Sequence, residues 1–264
     1  MPEDRQPGAA IELADVVKKF DSQRVLDGVD LAVPRGAITV LLGPSGAGKT
    51  VTVKHIFGLL KPSRGVVKVE GRDLAEISEA ELYELRRRMS AVLQGTLPFT
   101  CGLFYSLSVY ENVAFALRTR TRWSQERIDA VTMEHLEMVG LRDRAEDMPE
   151  VLSAGMTKRV ALARALALDA RIVIIDDFDS AIDSVRLGLL CELIRDVQRR
   201  SEATYLVTTH DMSAARELAD YAAVIHEGRI VASGRADAVF GSGDPLVRQF
   251  ISGEVSGPLE LSTR

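Results

Sequence analysis

A strand-forming run that passes directly into a glycine-rich loop and then a helix constrains this chain more than any other feature. Ala37 to Leu42 is apolar apart from Thr39, Gly43-Pro44-Ser45-Gly46-Ala47-Gly48-Lys49-Thr50 follows at once, and a helical pattern runs from Lys49 to Leu60. The loop matches G-x-x-x-x-G-K-[ST] in the context that gives the pattern meaning, after a strand and at the start of a helix. Glycines let the backbone curl so that successive N–H groups converge on phosphate oxygens, and the helix adds the positive end of its dipole. In such a loop Lys49 reaches the β- and γ-phosphates and the Thr50 hydroxyl ligates Mg²⁺. An α/β domain that binds a nucleoside triphosphate is expected.

The remaining patterning agrees with a parallel sheet. Apolar runs at Val66 to Val69, Ile172 to Ile175 and Tyr205 to Val207 alternate with helical stretches. From about residue 95 to 168 the strand signals fade, and amphipathic stretches such as Ser124 to Val139 and Thr157 to Leu168 read as an inserted helical subdomain. Ser78 and Glu81 form a capping box for a helix ending near Met89. The Arg86, Arg87, Arg88 run would then serve that helix's own C-terminal dipole. Residues 1–10 read as a flexible lead and 11–243 as the main domain. Gly241-Ser242-Gly243 and Asp244-Pro245 mark a turn before a terminal helix near Leu246 to Ile251, so 244–264 reads as a helix and tail that act in assembly rather than in the fold.

Composition closes off other classes. At 264 residues, with 46% hydrophobic and 27% charged residues, the chain has the make-up of an ordinary globular domain. A net charge of −5 argues against nucleic acid as a partner, since phosphate contacts need a basic surface. No apolar run approaches the ~20 residues that cross a bilayer. Met1 to Ala10 lacks the apolar stretch of a secretory signal, and Cys101 and Cys191 suit a reducing cytoplasm better than a disulfide framework.

Further motifs follow the loop in order. Leu152-Ser153-Ala154-Gly155-Met156 opens a helix rich in Ala, Leu and Arg; Ser153 and the exposed amides there could form a second anion site, or Ser153 could simply cap the helix. Ile172 to Ile175 is an apolar strand ending in Asp176 and Asp177, and Val207-Thr208-Thr209 ends in His210. Gln94 follows the strand-like Ser90 to Leu93, Phe20 lies upstream of the loop, and Ser180-Ala181-Ile182-Asp183 follows the acidic pair.

Over about residues 11 to 252 this arrangement resembles the ATP-binding cassette (ABC) ATPases. The resemblance implies a P-loop NTPase fold with an inserted helical subdomain and an antiparallel β-subdomain, and ATP and Mg²⁺ as cofactors. It implies that Phe20 stacks on adenine; that Gly43, Pro44, Ser45, Gly46, Ala47, Gly48, Lys49 and Thr50 cradle the phosphates; and that Ser153, Ala154 and Gly155 face nucleotide bound by a partner chain. Thr50, Gln94 and Asp176 would serve Mg²⁺, Asp177 would polarise the attacking water, and Gln94 and His210 would complete the catalytic set. No internal repeat is visible, so two sites require a homodimer or a heterodimer with a second cassette.

Met156, the Lys158-Arg159 pair, Asp179-Ser180, Asp183-Ser184-Val185-Arg186 and the tail Asp244 to Gly253 are similar to the lipid-transport ATPases of the Mla and Mce systems. That resemblance implies transmembrane permease subunits, Mce-domain or other substrate-binding proteins, and a cytoplasmic location on the inner face of the membrane. The sequence departs from the pattern at Asp177 (for glutamate), Phe178 (for proline), Ala154 (for glycine) and Ala181-Ile182 (for Gly-Leu). These changes imply slow hydrolysis, and they leave a regulatory cassette paired with an active partner as the alternative, along with the ATPase of another ABC importer. Gly95 to Tyr105 looks longer than the family's equivalent at the surface that docks a permease. The run from Arg118 to Trp123 could meet lipid headgroups or form a solvated helix end.

Overall fold

The computed structural model describes residues 8–21, 23–93, 102–177, 179–180, 182–254 and 256–258. The described chain begins with β1 (Ala9–Phe20), β2 (Gln23–Pro34) and β3 (Ile38–Leu42), followed by α1 (Lys49–Ile56), β4 (Arg64–Val69), β5 (Arg72–Asp73), α2 (Glu79–Arg86) and β6 (Met89–Val92). From residue 102 to the next strand it holds only helices and turns: α3 (Val109–Arg120), α4 (Gln125–Met138), two short 3₁₀ turns and α5 (Ala154–Leu166). The remainder is β7 (Ile172–Ile175), α6 (Ser184–Ser201), β8 (Thr204–Thr209), α7 (Met212–Leu218), β9 (Tyr221–His226), β10 (Arg229–Arg235), α8 (Ala236–Phe240) and α9 (Pro245–Ser252).

Two sheets form. One has the order β10-β9-β3-β8-β7-β6, with every pair parallel except β10-β9, and the other is antiparallel in the order β2-β1-β4-β5. Period-two alternation divides the parallel strands between two cores. Ile38, Val40 and Leu42 of β3 join the helix-covered core, whereas Leu41 joins the core shared with α1 and the antiparallel sheet. Val173 and Ile175 of β7 face the first, and Ile172 and Ile174 the second. Strands buried on both faces explain the continuous apolar runs in the sequence.

Several sequence expectations are corrected. The expected flexible lead ends early, since Ala9 and Ala10 already belong to β1. The helix from Lys49 stops at Ile56 instead of Leu60, because Gly58 takes a left-handed φ of 65° and the Leu59 N–H turns back to the Lys54 carbonyl. The Ser78–Glu81 capping box is present, with both reciprocal bonds. Its companion arginines behave differently. Arg86 donates from Nε to the Phe57 carbonyl at 2.9 Å and from Nη2 to the Gly58 carbonyl at 3.1 Å, so it closes the end of α1 and not that of its own helix. In the basic run near Trp123, Arg120 turns inward to the Met89 carbonyl at 2.7 Å and Arg118 pairs with Glu111 at 2.6 Å. Neither of these two arginines is a free surface cation.

The terminal helix is also part of the fold. Asp244 caps α9 through the Leu246 and Val247 amides; Val247 is fully buried, and Phe250 and Ile251 pack against the helix-covered core. Truncation after Gly243 is therefore expected to remove about 2–4 kcal/mol of apolar packing and to lower Tm by roughly 5–10 °C. Differential scanning fluorimetry of the truncated and full chains checks this. An unchanged Tm would return the tail to a role in assembly alone.

Candidate nucleotide site

Three neighbouring parallel strands bring the sequence motifs together. In the order β3-β8-β7, the C-terminal ends lie side by side, with Leu42 opposite Thr209 and Ile175 opposite Val207. Immediately past those ends stand Gly43, His210 and Asp176. The rim beyond the carboxyl ends of the strands of an α/β sheet is where such folds hold their ligands.

The loop after β3 is shaped by its glycines. A Cβ on Gly43 would sit 2.3 Å from the Ile225 carbonyl oxygen, and Gly48 has a φ of 110° with room for no side chain against Leu26. Gly48 also occupies the N-cap position of α1 without offering it a side-chain bond. Serine or aspartate caps each of α2 to α7 and α9, so the first-turn N–H groups of α1 stand out among these helices as uncapped donors. Lys49 folds across the loop, with Nζ donating to the Gly43 carbonyl at 2.6 Å and the Pro44 carbonyl at 2.9 Å. Burial pushes its pKa down, while Asp177, Asp176 and Asp179 act to raise it.

Asp176 is buried, and one carboxylate oxygen accepts from the Thr208 hydroxyl at 2.7 Å. Its other oxygen, Oδ2, has no partner in full hydrogen-bonding geometry among the described residues. Burial raises the Asp176 pKa, with the Thr208 and Thr50 hydroxyls acting against it. A desolvated carboxylate with an unsatisfied oxygen beside a threonine hydroxyl is a donor set that suits a hard divalent cation.

Asp177 adopts a φ of 58°, an unusual conformation for a residue with a side chain. Both of its peptide groups are held. Its N–H donates to Thr208 Oγ1 at 2.8 Å, and its carbonyl accepts from the Lys158 ammonium, which also donates to Ser180 O at 2.8 Å and Ser180 Oγ at 2.6 Å. His210 meets Asp179 through Nδ1 at 2.9 Å. Ligating atoms of Asp177, Asp179 and His210 all lie within 4.8 Å of one another.

The other expected residues are distributed unevenly. Ser153 caps α5 by accepting from the Met156 N–H at 3.3 Å, and is exposed. Phe20 is 41% exposed at the end of β1 with the Lys18 ammonium 5.1 Å from its ring, so it is not a core aromatic. Gln94, Phe178 and Ala181 lie outside the described residues. Thr208, Asp179 and Lys158 were not expected at the site. A signal existed for two of them: Thr208 follows directly on the apolar run Tyr205 to Val207 at the end of a buried strand, and Lys158 falls on the apolar face of α5, where a polar group requires a partner.

The fold and the site define a P-loop nucleoside triphosphatase. The ABC transporter family profile matches residues 26–180. The chain is 39% identical to the "Probable ribonucleotide transport ATP-binding protein mkl" of Mycobacterium leprae, over 97% of this chain and 72% of that protein. It is 36% identical to the intermembrane phospholipid transport system ATP-binding protein MlaF of Escherichia coli K12, over 94% of this chain and 91% of that protein. Among solved structures, the dimeric bacterial ABC transporter cassette MJ0796 aligns with a TM-score of 0.78 and 29% identity over 86% of this chain and 98% of that one. A second structure of that cassette, a dimer bound to ADP and Pi, aligns with a TM-score of 0.77. The chain belongs to the ABC transporter ATP-binding family, and it is an ATPase subunit of that class. Among the described residues no helix is long and apolar enough to cross a membrane.

Proposed function

We propose that the chain is the subunit that energises a phospholipid transporter by binding and hydrolysing MgATP as a dimer of cassettes. The observation that carries this reading is the convergence of Gly43–Thr50, Asp176 and His210 at three adjacent strand ends. In this reading Gly43 to Thr50 hold the phosphates through backbone amides and Lys49, and Phe20 offers its exposed ring to the base. Asp176 and Thr50, with Gln94, hold Mg²⁺, which neutralises charge on the phosphate oxygens. Asp177 orients and deprotonates the attacking water, and His210 contacts the terminal phosphate. Ser153, Ala154 and Gly155 at the start of α5 complete the site of a partner cassette, as expected of a family with dimeric cassette structures.

A permease-docking surface is supported by a groove of about 390 Å³ lined by Phe57, Leu59, Phe104 and Phe115, among others. Three of these aromatic and aliphatic groups, Leu59, Phe104 and Phe115, are exposed, and among the described residues no helix is long and apolar enough to cross a membrane. Phe104 and Phe115 meet edge to face at 5.4 Å, forming a rigid apolar wall for a short amphipathic helix of a membrane partner. Docking there puts the chain on the cytoplasmic face of the membrane.

The cargo is assigned from the relatives. MlaF is named for phospholipid transport and matches nearly end to end, whereas mkl is named for ribonucleotide transport. A complex purified from membranes through a tag on this chain separates the two. ATPase activity in nanodiscs is expected to rise severalfold with added phospholipid and to ignore ribonucleotides; stimulation by ribonucleotides alone would overturn the lipid assignment.

A further inference from the structure

We infer that Asp179 is a positioning residue for His210: it fixes the imidazole through Nδ1 and so presents Nε2 to the nucleotide. Asp179 lies in the segment after the acidic pair, and its side chain is 4% exposed, against 56% for His210. A carboxylate so buried is costly unless it is bonded; Oδ1 has no partner among the described residues, and the bonds that Asp179 does make to them run through Oδ2 to His210. Its Oδ2 meets His210 Nδ1 at 2.9 Å and lies 3.4 Å from the His210 backbone N–H. Nδ1 is thereby engaged, and Nε2 is left as the ring nitrogen for a ligand. This is the orienting role that a carboxylate plays behind a histidine in other catalytic constellations.

The segment that carries Asp179 is itself held. Lys158, buried on α5, donates to the carbonyls of Asp177 and Ser180 on either side of it and to the Ser180 hydroxyl. The carboxylate is therefore a fixed anchor, whereas His210 projects from the end of β8 and is half exposed. An unanchored imidazole in that setting has free χ1 and χ2 rotation, and misplacement by ~1 Å is enough to cost on the order of 10²-fold in rate. The inference rests on the ATPase reading of this site and adds a residue to it.

Two measurements test it on the full chain. In the first, ¹⁵N-histidine-labelled protein is recorded at about pH 8.5, well above the ordinary imidazole pKa of about 6.5, with the His210 signal assigned from His210→Gln. The parent is expected to show the Nδ1–H tautomer at His210, and Asp179→Ala the commoner Nε2–H form. The same tautomer in both proteins, or Nε2–H in the parent, overturns the inference.

The second measurement is single-turnover hydrolysis of MgATP with protein in excess. Asp179→Ala is expected to lower the hydrolysis rate tenfold or more with apparent ATP affinity within about threefold, and Asp179→Asn, whose amide oxygen accepts the same bond, to recover most of the rate. In His210→Ala, adding Asp179→Ala should cost no further rate, because the carboxylate acts only through the ring. Additive losses would mean that Asp179 acts elsewhere, and that overturns the inference. If Asp179→Ala melts more than a few degrees below the parent, Asp179→Ser replaces it in both experiments. Unimpaired hydrolysis by His210→Ala alone would instead refute the underlying assignment of His210.

Discussion

Replacing Asp177 with glutamate is expected to raise kcat by tenfold or more. Aspartate is one methylene shorter, so from the same backbone its carboxylate sits ~1–1.5 Å further from the attacking water, and misplacement on that scale costs on the order of 10²-fold. A backbone shift could close the gap, but both peptide groups of Asp177 are engaged, at Thr208 on one side and Lys158 on the other. Its left-handed φ of 58° is held in the same way. Hydrolysis is not expected to vanish in the parent, because much of the catalysis of phosphoryl transfer is electrostatic, and in the proposed site it would come from Lys49, the cation and the donors of a partner cassette. Steady-state ATPase of the assembled complex is compared for the parent, Asp177→Glu and Asp177→Asn. Asparagine should lower whatever rate the parent has. A brisk parent that glutamate slows would mean the site has adapted to aspartate. Three equally inert proteins would make this a regulatory cassette.

The parts of the site that were legible in the sequence are those carried by local chemistry. The loop Gly43 to Thr50 announces itself because glycine spacing, lysine and threonine form one local pattern suited to a phosphate ligand, and the capping box at Ser78 and Glu81 is complete within four residues. Strands β3 and β7, which lead into the loop and the acidic pair, were legible because burial on both faces leaves them almost wholly apolar. The long hairpin of β1 and β2 is not legible as strands in the sequence. Asp15 takes a φ of 49° and Gly28 one of 75°, and the register between the strands shifts around Leu13 and Val16, so the period-two pattern is broken.

Tertiary roles were less legible still. Arg86 closes α1 across a separation of nearly thirty residues, and nothing near it in sequence names that partner. Lys158 reads as half of a surface basic pair until α5 is packed against the segment from Asp177 to Ser180. The tail misled for a related reason. A turn followed by a short helix looks detachable, and only the packing of Val247 into the core shows otherwise.

The largest loss of binding is expected from Lys49→Ala. In the structure Lys49 Nζ is held by two loop carbonyls, Gly43 and Pro44, at the rim where the phosphates are proposed to bind. Partial burial and three nearby aspartates place it in an environment where a phosphate oxygen would gain much from one cation. Charge-assisted bonds of this kind contribute roughly 1.5–3 kcal/mol each, so loss of the ammonium should weaken MgATP by about 10²-fold or more. The fold should survive, because the half-buried Lys49 opens α1 and its ammonium bonds only loop carbonyls among the described contacts, and Val53 and Ile56 still fill the core beneath it. Isothermal titration of MgATP into the parent and into Lys49→Ala, with matched melting temperatures as the control, tests the central claim most directly. Saturable binding by the parent and little or none by the variant is the predicted result; equal binding by the two proteins would contradict the assignment of this loop, and of the whole site, to ATP.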